Sequence, residues 1–152
     1  MSLKDTLREA RTNNMFVRDR MGLTVANARK IASILRRTSD KQEIEERRHL
    51  VEELIREGAD TRQTYEVLNR ALACEDYVVA DKLIQNGVSD EGIKHCIRIA
   101  NNPENGISAE ERQKRMDYLT NAIGKEKMTA LQNEITQEKA MATMKARQVS
   151  RS

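Results

Sequence analysis

Residues 71–88 read ALACEDYVVADKLIQNGV, and whether they form one helix or two decides the fold. Ala71 and Leu72 continue an apolar face begun by Tyr65 and Leu68, so a helix runs into this stretch from its N-terminal side. Glu75-Asp76 then breaks the apolar pattern. Val78, Val79, Leu83 and Ile84 resume it at helical spacing, and Gly87 supplies a stop. The stretch therefore reads as the end of one helix, a tight polar turn, and the whole of the next.

The same unit recurs on both sides. Upstream, Thr24 opens a helix whose Ala28, Ile31, Ala32 and Leu35 are spaced i, i+3, i+4, i+7, the mark of one buried stripe. Thr38-Ser39-Asp40 separates it from a second helix carrying Ile44, Leu50, Val51, Leu54 and Ile55, which Gly58 ends in a left-handed conformation. Downstream, Ser89 caps a helix with Ile93, Ile97 and Ala100. NNPENGIS (101–108) is a loop, because Pro103 cannot continue a helix and Asn105-Gly106 favours a turn. Ser108 and Glu111 form a capping box before a helix with Met116, Leu119 and Ile123, which Gly124 ends.

Three helix pairs thus stop at Gly58, Gly87 and Gly124, after the phrases LVEELIREG, VADKLIQNG and MDYLTNAIG. One pair cannot bury its own stripe, so serial pairs stack on their neighbours. The expected fold is all-α: three stacked helix-turn-helix repeats in a short solenoid over 24–124. An N-terminal helix and connector (1–23) precede it, and a C-terminal amphipathic helix with a frayed tail (125–152) follows. In the first segment Leu3, Leu7 and Ala10 share a side, Asn13-Asn14 interrupts, and a connector ends near Gly22. In the last, Met128, Leu131 and Ile135 form a seam continued by Met141 and Met144.

LVEELIREGAD (50–60) resembles the outer helix and Gly-Ala-Asp turn of an ankyrin repeat, and 71–88 keeps the ankyrin spacing of inner helix, turn and V-V-x-x-x-L-I. Thr64-Tyr65-Glu66-Val67 stands where that family opens with Thr-Pro-Leu-His, and Glu75 or Asp76 replaces the turn glycine. The resemblance, over roughly 26–124, is to degenerate ankyrin-like (α-hairpin) repeats. It implies a non-enzymatic adaptor, assembly factor or effector-like protein that holds a protein partner.

Composition agrees with a helical reading. Charged residues make up 34% of the 152, aromatics only 3%, and there is one proline, so few residues resist a helix. No apolar run is long enough to span a membrane and no signal-peptide core follows Met1, so a cytoplasmic protein is expected, in its own cell or delivered to another. Cys74 and Cys96 lack CxxC spacing and read as packing thiols. His95 and Cys96 are adjacent, so on a helix they diverge by about 100° and neither chelate nor activate one another. Glu45-Glu46 and Glu52-Glu53 lie along one helix and do not face each other across a cleft. No phosphate-cradling glycine motif occurs. No enzyme activity, cofactor or metal is expected.

Partner-contact residues are sought on the polar side of the inner helices and in turns: Tyr65, Asn69, Arg70, Glu75, Asp76, Lys94 and Arg98. The alternative is a nucleic acid held by the basic N-terminal third through Arg18, Arg20, Arg29, Lys30, Arg36 and Arg37, with Arg29-Lys30 and Arg36-Arg37 on one helix. Residues 1–37 hold nine Lys/Arg against three Asp/Glu, which favours phosphate contact, but aromatic rings to stack bases are scarce. The C-terminal helix caps the last repeat, with docking on a partner or another copy of the chain as its other use.

Overall fold

The computed structural model describes residues 2–4 and 20–151. Seven α-helices occur among them: α1 Arg20–Ile34, α2 Lys41–Arg56, α3 Glu66–Ala73, α4 Tyr77–Asn86, α5 Asp90–Asn101, α6 Ala109–Ile123 and α7 Lys125–Arg151. A single 3-10 turn, Pro103–Asn105, lies between α5 and α6. No strand is found among the described residues, so the all-α class holds. The chain forms two compact units, Met1–Ile93 and Lys94–Ser152, divided within α5. Of the N-terminal helix only Leu3 and Lys4 are described, and both are helical; its remainder and the break at Asn13-Asn14 fall on 5–19, outside the described residues.

In the first unit two helical hairpins stack like on like. α1 pairs with α2 and α3 with α4; across the pairs, α1 lies on α3 and α2 on α4. The stripes read from the sequence make this core. Ala28, Ile31, Val51, Leu54, Val67, Ala71, Val79, Ala80 and Leu83 have no exposed surface. Two expected members are exposed, Tyr65 at 40% and Val78 at 44%; Val67 is buried on α3 and Ala80 on α4. At about 100° per residue, Val79, Ala80 and Leu83 share an arc that Val78 lies outside.

Helix ends follow their caps. Asp40 accepts from Gln42 N at 3.0 Å and Glu43 N at 3.4 Å to start α2. Gly58, at φ 91°, closes the helix: its N–H donates to Ile55 O and that of Ala59 to Leu54 O, both at 3.0 Å. α3 ends the same way, with Glu75 N on Leu72 O and Asp76 N on Ala71 O, both at 3.0 Å. Here the left-handed residue is Glu75, at φ 57°. A side chain in that conformation costs about 1–2 kcal/mol, partly offset because glycine would make the unfolded chain more flexible. Glu75→Gly is therefore expected to stabilise the fold by about 0.5–1 kcal/mol, read as a higher urea midpoint at unchanged slope. An unchanged or lower midpoint would contradict a strained turn.

Both ends of α1 differ from the sequence reading. Thr24 lies inside α1 rather than capping it, because the helix is already formed at Arg20. α1 also stops at Ile34, so Leu35 and Arg36 turn back on it and Arg36-Arg37 lie on the connector to α2. Between hairpins, the turn after α2 is stitched to both neighbours: Asp60 N donates to Thr24 O at 3.0 Å and Ser89 N to Arg62 O at 3.3 Å. Asn86 Nδ2 adds a bond to Ala59 O at 3.2 Å, and Thr61 Oγ1 one to Gly87 O at 2.9 Å.

In the second unit α6 packs on α7. Ser108 caps α6 through Glu111 N at 3.1 Å. The Glu111 carboxylate also takes the buried Arg115 guanidinium at 2.9 Å. Met128, Leu131 and Ile135 are buried on α7, whereas Met141 and Met144 are 62% and 61% exposed and do not continue that seam.

Candidate protein-binding surface

Two of the seven residues singled out for contact are internal. Asp76 is 2% exposed and Lys94 5%. Asp76 begins α4, accepting from Val79 N at 3.2 Å. Its other oxygen takes Arg47 Nε at 3.1 Å and Nη2 at 2.8 Å, and Arg48 Nε reaches the first at 3.2 Å. Arg47 is itself buried and spends its third donor on Arg36 O at 2.6 Å. One carboxylate therefore ties α2, the α1–α2 connector and the start of α4 together. Arg47 was legible as a stripe position, three after Ile44 and four before Val51, but a charged type hid it.

Lys94 is internal for a like reason. Its Nζ donates to Glu134 Oε2 at 2.8 Å and Glu138 Oε1 at 2.9 Å, so an ammonium on α5 holds two carboxylates of α7. Arg98, partly exposed, pairs with the same Glu138. The Lys94 hydrogen bond, aided by that of Arg98, holds the Glu138 carboxyl below its ordinary value of 4.5. A carboxyl lowered on folding adds stability above its unfolded pKa and loses it as pH falls through the lower, folded value. The α5–α7 tie is thus expected to weaken below about pH 4.5, and Glu138→Gln to flatten that acid limb in a helicity titration. An acid limb unchanged by Glu138→Gln would remove this group as its source.

The remaining contact candidates are accessible. Tyr65 is 40% exposed, with its ring beside Gly92: a Cβ added there would stand 3.6 Å from Tyr65 Cδ1. Asn69 is half-buried, and its Oδ1 is enclosed with no hydrogen-bond donor on it. Arg70 and Glu75 are exposed. Beside Glu75 the two hairpins enclose an open pocket of about 510 Å³ lined by Arg37, Thr38 and Ser39 from the first turn and Cys74 and Glu75 from the second. Arg37 Nε donates to Ala73 O at 2.8 Å, which ties the first turn to the end of α3. A second recess runs between α2 and α4, lined by Glu45, Arg48, His49, Glu52, Val78 and Lys82, and bridged by the Glu52–Lys82 ion pair.

The basic alternative is only partly assembled. Arg18 lies outside the described residues, and Arg20 is placed by its backbone alone. Arg29 is exposed on α1 and Lys30 half-buried, while Arg36 and Arg37 stand on the connector and not on the same helix. Arg37 is already engaged with α3. Residues 20–37 nonetheless contain these five basic side chains and no acid.

The thiols are poor nucleophiles in these surroundings. Burial pushes Cys96 up to about 12, and burial raises Cys74 too, whose Sγ donates to Arg70 O at 2.9 Å. Among the described residues no group of three or more His, Cys, Asp or Glu is placed to hold a metal ion, and no helix is long and apolar enough to cross a membrane. Compared with protein-family models, curated proteins and solved structures, the chain matches none.

Proposed function

We propose that the chain is a non-enzymatic protein-binding module built on degenerate ankyrin-like hairpins, and that it grips its partner at the turn end and inner helix of the first unit. The observation that carries this reading is the pocket shared by two stacked hairpins, lined by Arg37, Thr38, Ser39, Cys74 and Glu75; Arg70 and Asn69 lie on the adjoining α3 and Tyr65 just before it. Stacking consumes the apolar stripes in the core. What the hairpins present outward is a bonded frame carrying charges of both signs, a phenol and an amide, the group types that give specific contacts between proteins. Asp76 supports the frame from within, whereas Lys94 and Arg98 belong to the second unit, where they tie α5 to α7.

The test is capture from lysate of the source cell, with nuclease treatment and at low and high salt. A discrete protein that survives nuclease and is reduced at least about tenfold by Tyr65→Ala or Arg70→Glu is the expected result. Recovery of nucleic acid alone, released by salt and lost on charge reversal of Arg29 and Arg36, would replace this reading with the basic-face alternative. Circular dichroism of each variant checks that the fold is kept.

A further inference from the structure

The chain holds two Asn-Gly steps, in QNGV (85–88) and ENGI (104–107). Such a step carries its own reaction. The backbone nitrogen that follows an asparagine can attack the side-chain Cγ and close a five-membered ring, and glycine, having no Cβ, lets its nitrogen approach most freely. In a folded chain two things oppose the attack: hydrogen bonds on the glycine N–H, and hydrogen bonds that hold the asparagine amide away from its own backbone. The fold loads the two steps unequally. Asn86 is the last residue of α4. Among the described residues four bonds hold its step: Gly87 N–H donates to Leu83 O at 3.0 Å and Ile84 O at 3.1 Å, and Asn86 Nδ2 to Thr61 Oγ1 at 2.9 Å and Ala59 O at 3.2 Å. Asn105 instead ends a 3-10 turn of three residues. Gly106 N–H reaches Pro103 O at 3.3 Å, longer than a usual N–H···O bond, and among the described residues Asn105 Nδ2 has one acceptor, Ile99 O at 2.9 Å. Residues 102–106 are all exposed, so water has access.

We propose that Asn105 is a self-modifying position: in the folded chain it deamidates to aspartate and isoaspartate, while the fold keeps Asn86 an asparagine. Gly106 N forms a bond to Asn105 Cγ and gives up its proton to water, and the Cγ–Nδ2 bond breaks with loss of ammonia. Water then opens the ring. Cleavage between Cγ and the nitrogen leaves aspartate; cleavage between the main-chain carbonyl carbon and the nitrogen leaves isoaspartate, with the backbone running through Cβ and Cγ. The balance is one water in and one ammonia out, so neither an oxidant nor an enzyme is required. Both products remove the donor that Asn105 Nδ2 gives to Ile99 O in the last turn of α5. Each sets a carboxylate there instead, beside Glu104 and at the negative end of the helix dipole, where an anion is unfavourable. Isoaspartate also adds a carbon to the main chain of a turn only three residues long. Conversion therefore opens the end of α5 and the turn after it. This inference is independent of the proposed partner site, which lies on the other compact unit.

The test is incubation of the full chain at neutral pH and physiological temperature, folded and in urea, with peptide mass spectrometry that separates asparagine, aspartate and isoaspartate at both positions. In the folded chain Asn105 is expected to convert at least about tenfold faster than Asn86, with isoaspartate among its products, because Asn86 reacts only from locally opened states. In urea the two rates should come within about threefold of each other, since no fold then distinguishes the two steps. Asn105→Asp installs one product directly and should speed amide exchange of Asn102 and Gly106, whose N–H groups bond within this turn, at least about tenfold. Asn105 staying intact in the folded chain, Asn86 converting as fast as Asn105 there, or aspartate forming without isoaspartate would each overturn the proposal. Unchanged amide exchange in Asn105→Asp would overturn the opening of the turn.

Discussion

Asp76→Ala is expected to destabilise the protein by about 3–5 kcal/mol, the largest effect of any single charge removal in the first unit. The carboxylate has three tasks: it caps α4 through Val79 N, it neutralises the buried Arg47, and it anchors the half-buried Arg48. Loss of the cap alone costs about 1 kcal/mol. The greater part comes from Arg47, whose guanidinium would stay 3% exposed with its carboxylate partner gone. A loss of this size is a large fraction of the roughly 5–15 kcal/mol that a domain has in total, so the variant should sit close to unfolding at 37 °C. Urea melts followed by circular dichroism measure it. Adding Arg47→Met should recover part of the loss, because the stranded charge is then absent. If Asp76→Ala costs under about 1 kcal/mol, or Arg47→Met makes it worse, the pair is not the tie that its geometry implies.

Leu54→Ala and Leu83→Ala should each cost about 2–5 kcal/mol. Both leucines are fully enclosed, Leu54 on α2 and Leu83 on α4, the two helices that stack between hairpins. Truncation removes buried methyl groups and leaves a cavity that a frame stitched at its turns cannot easily close. Leu54 also supplies the carbonyl that ends α2, taking Ala59 N at 3.0 Å, so its backbone is pinned and relaxation there is limited. The double variant should depart from additivity if the two cavities merge. Melts that move by less than about 0.5 kcal/mol for either leucine would contradict packing between the hairpins.

Glycine, small-residue and leucine positions made the hairpins readable in advance. Gly58 and Gly87 end their helices as expected, and the turn at Glu75-Asp76 falls where the polar pair interrupts the apolar run. Ser89, Asp40 and Ser108 cap as their side chains allow. Such signals are local: each depends on a backbone conformation or on a bond spanning two or three residues, so a single segment carries it.

Charged residues were legible as surface and turned out otherwise. Asp76, Lys94, Arg47 and Arg115 are buried, each beside a partner at 2.8–2.9 Å. The reason is that burial of a charge is costly alone and acceptable once an opposite charge is fixed beside it. For Asp76 and Lys94 that partner comes from another helix, 29 and 40 residues away in the chain. By itself the sequence determined the helical class, the hairpin turns and the apolar stripes, because periodicity and caps are written in adjacent residues. Which acids and bases are structural, which methionines of α7 are left outside, and which side chains of two hairpins share one pocket were decided only by tertiary structure, because those depend on what another segment brings alongside.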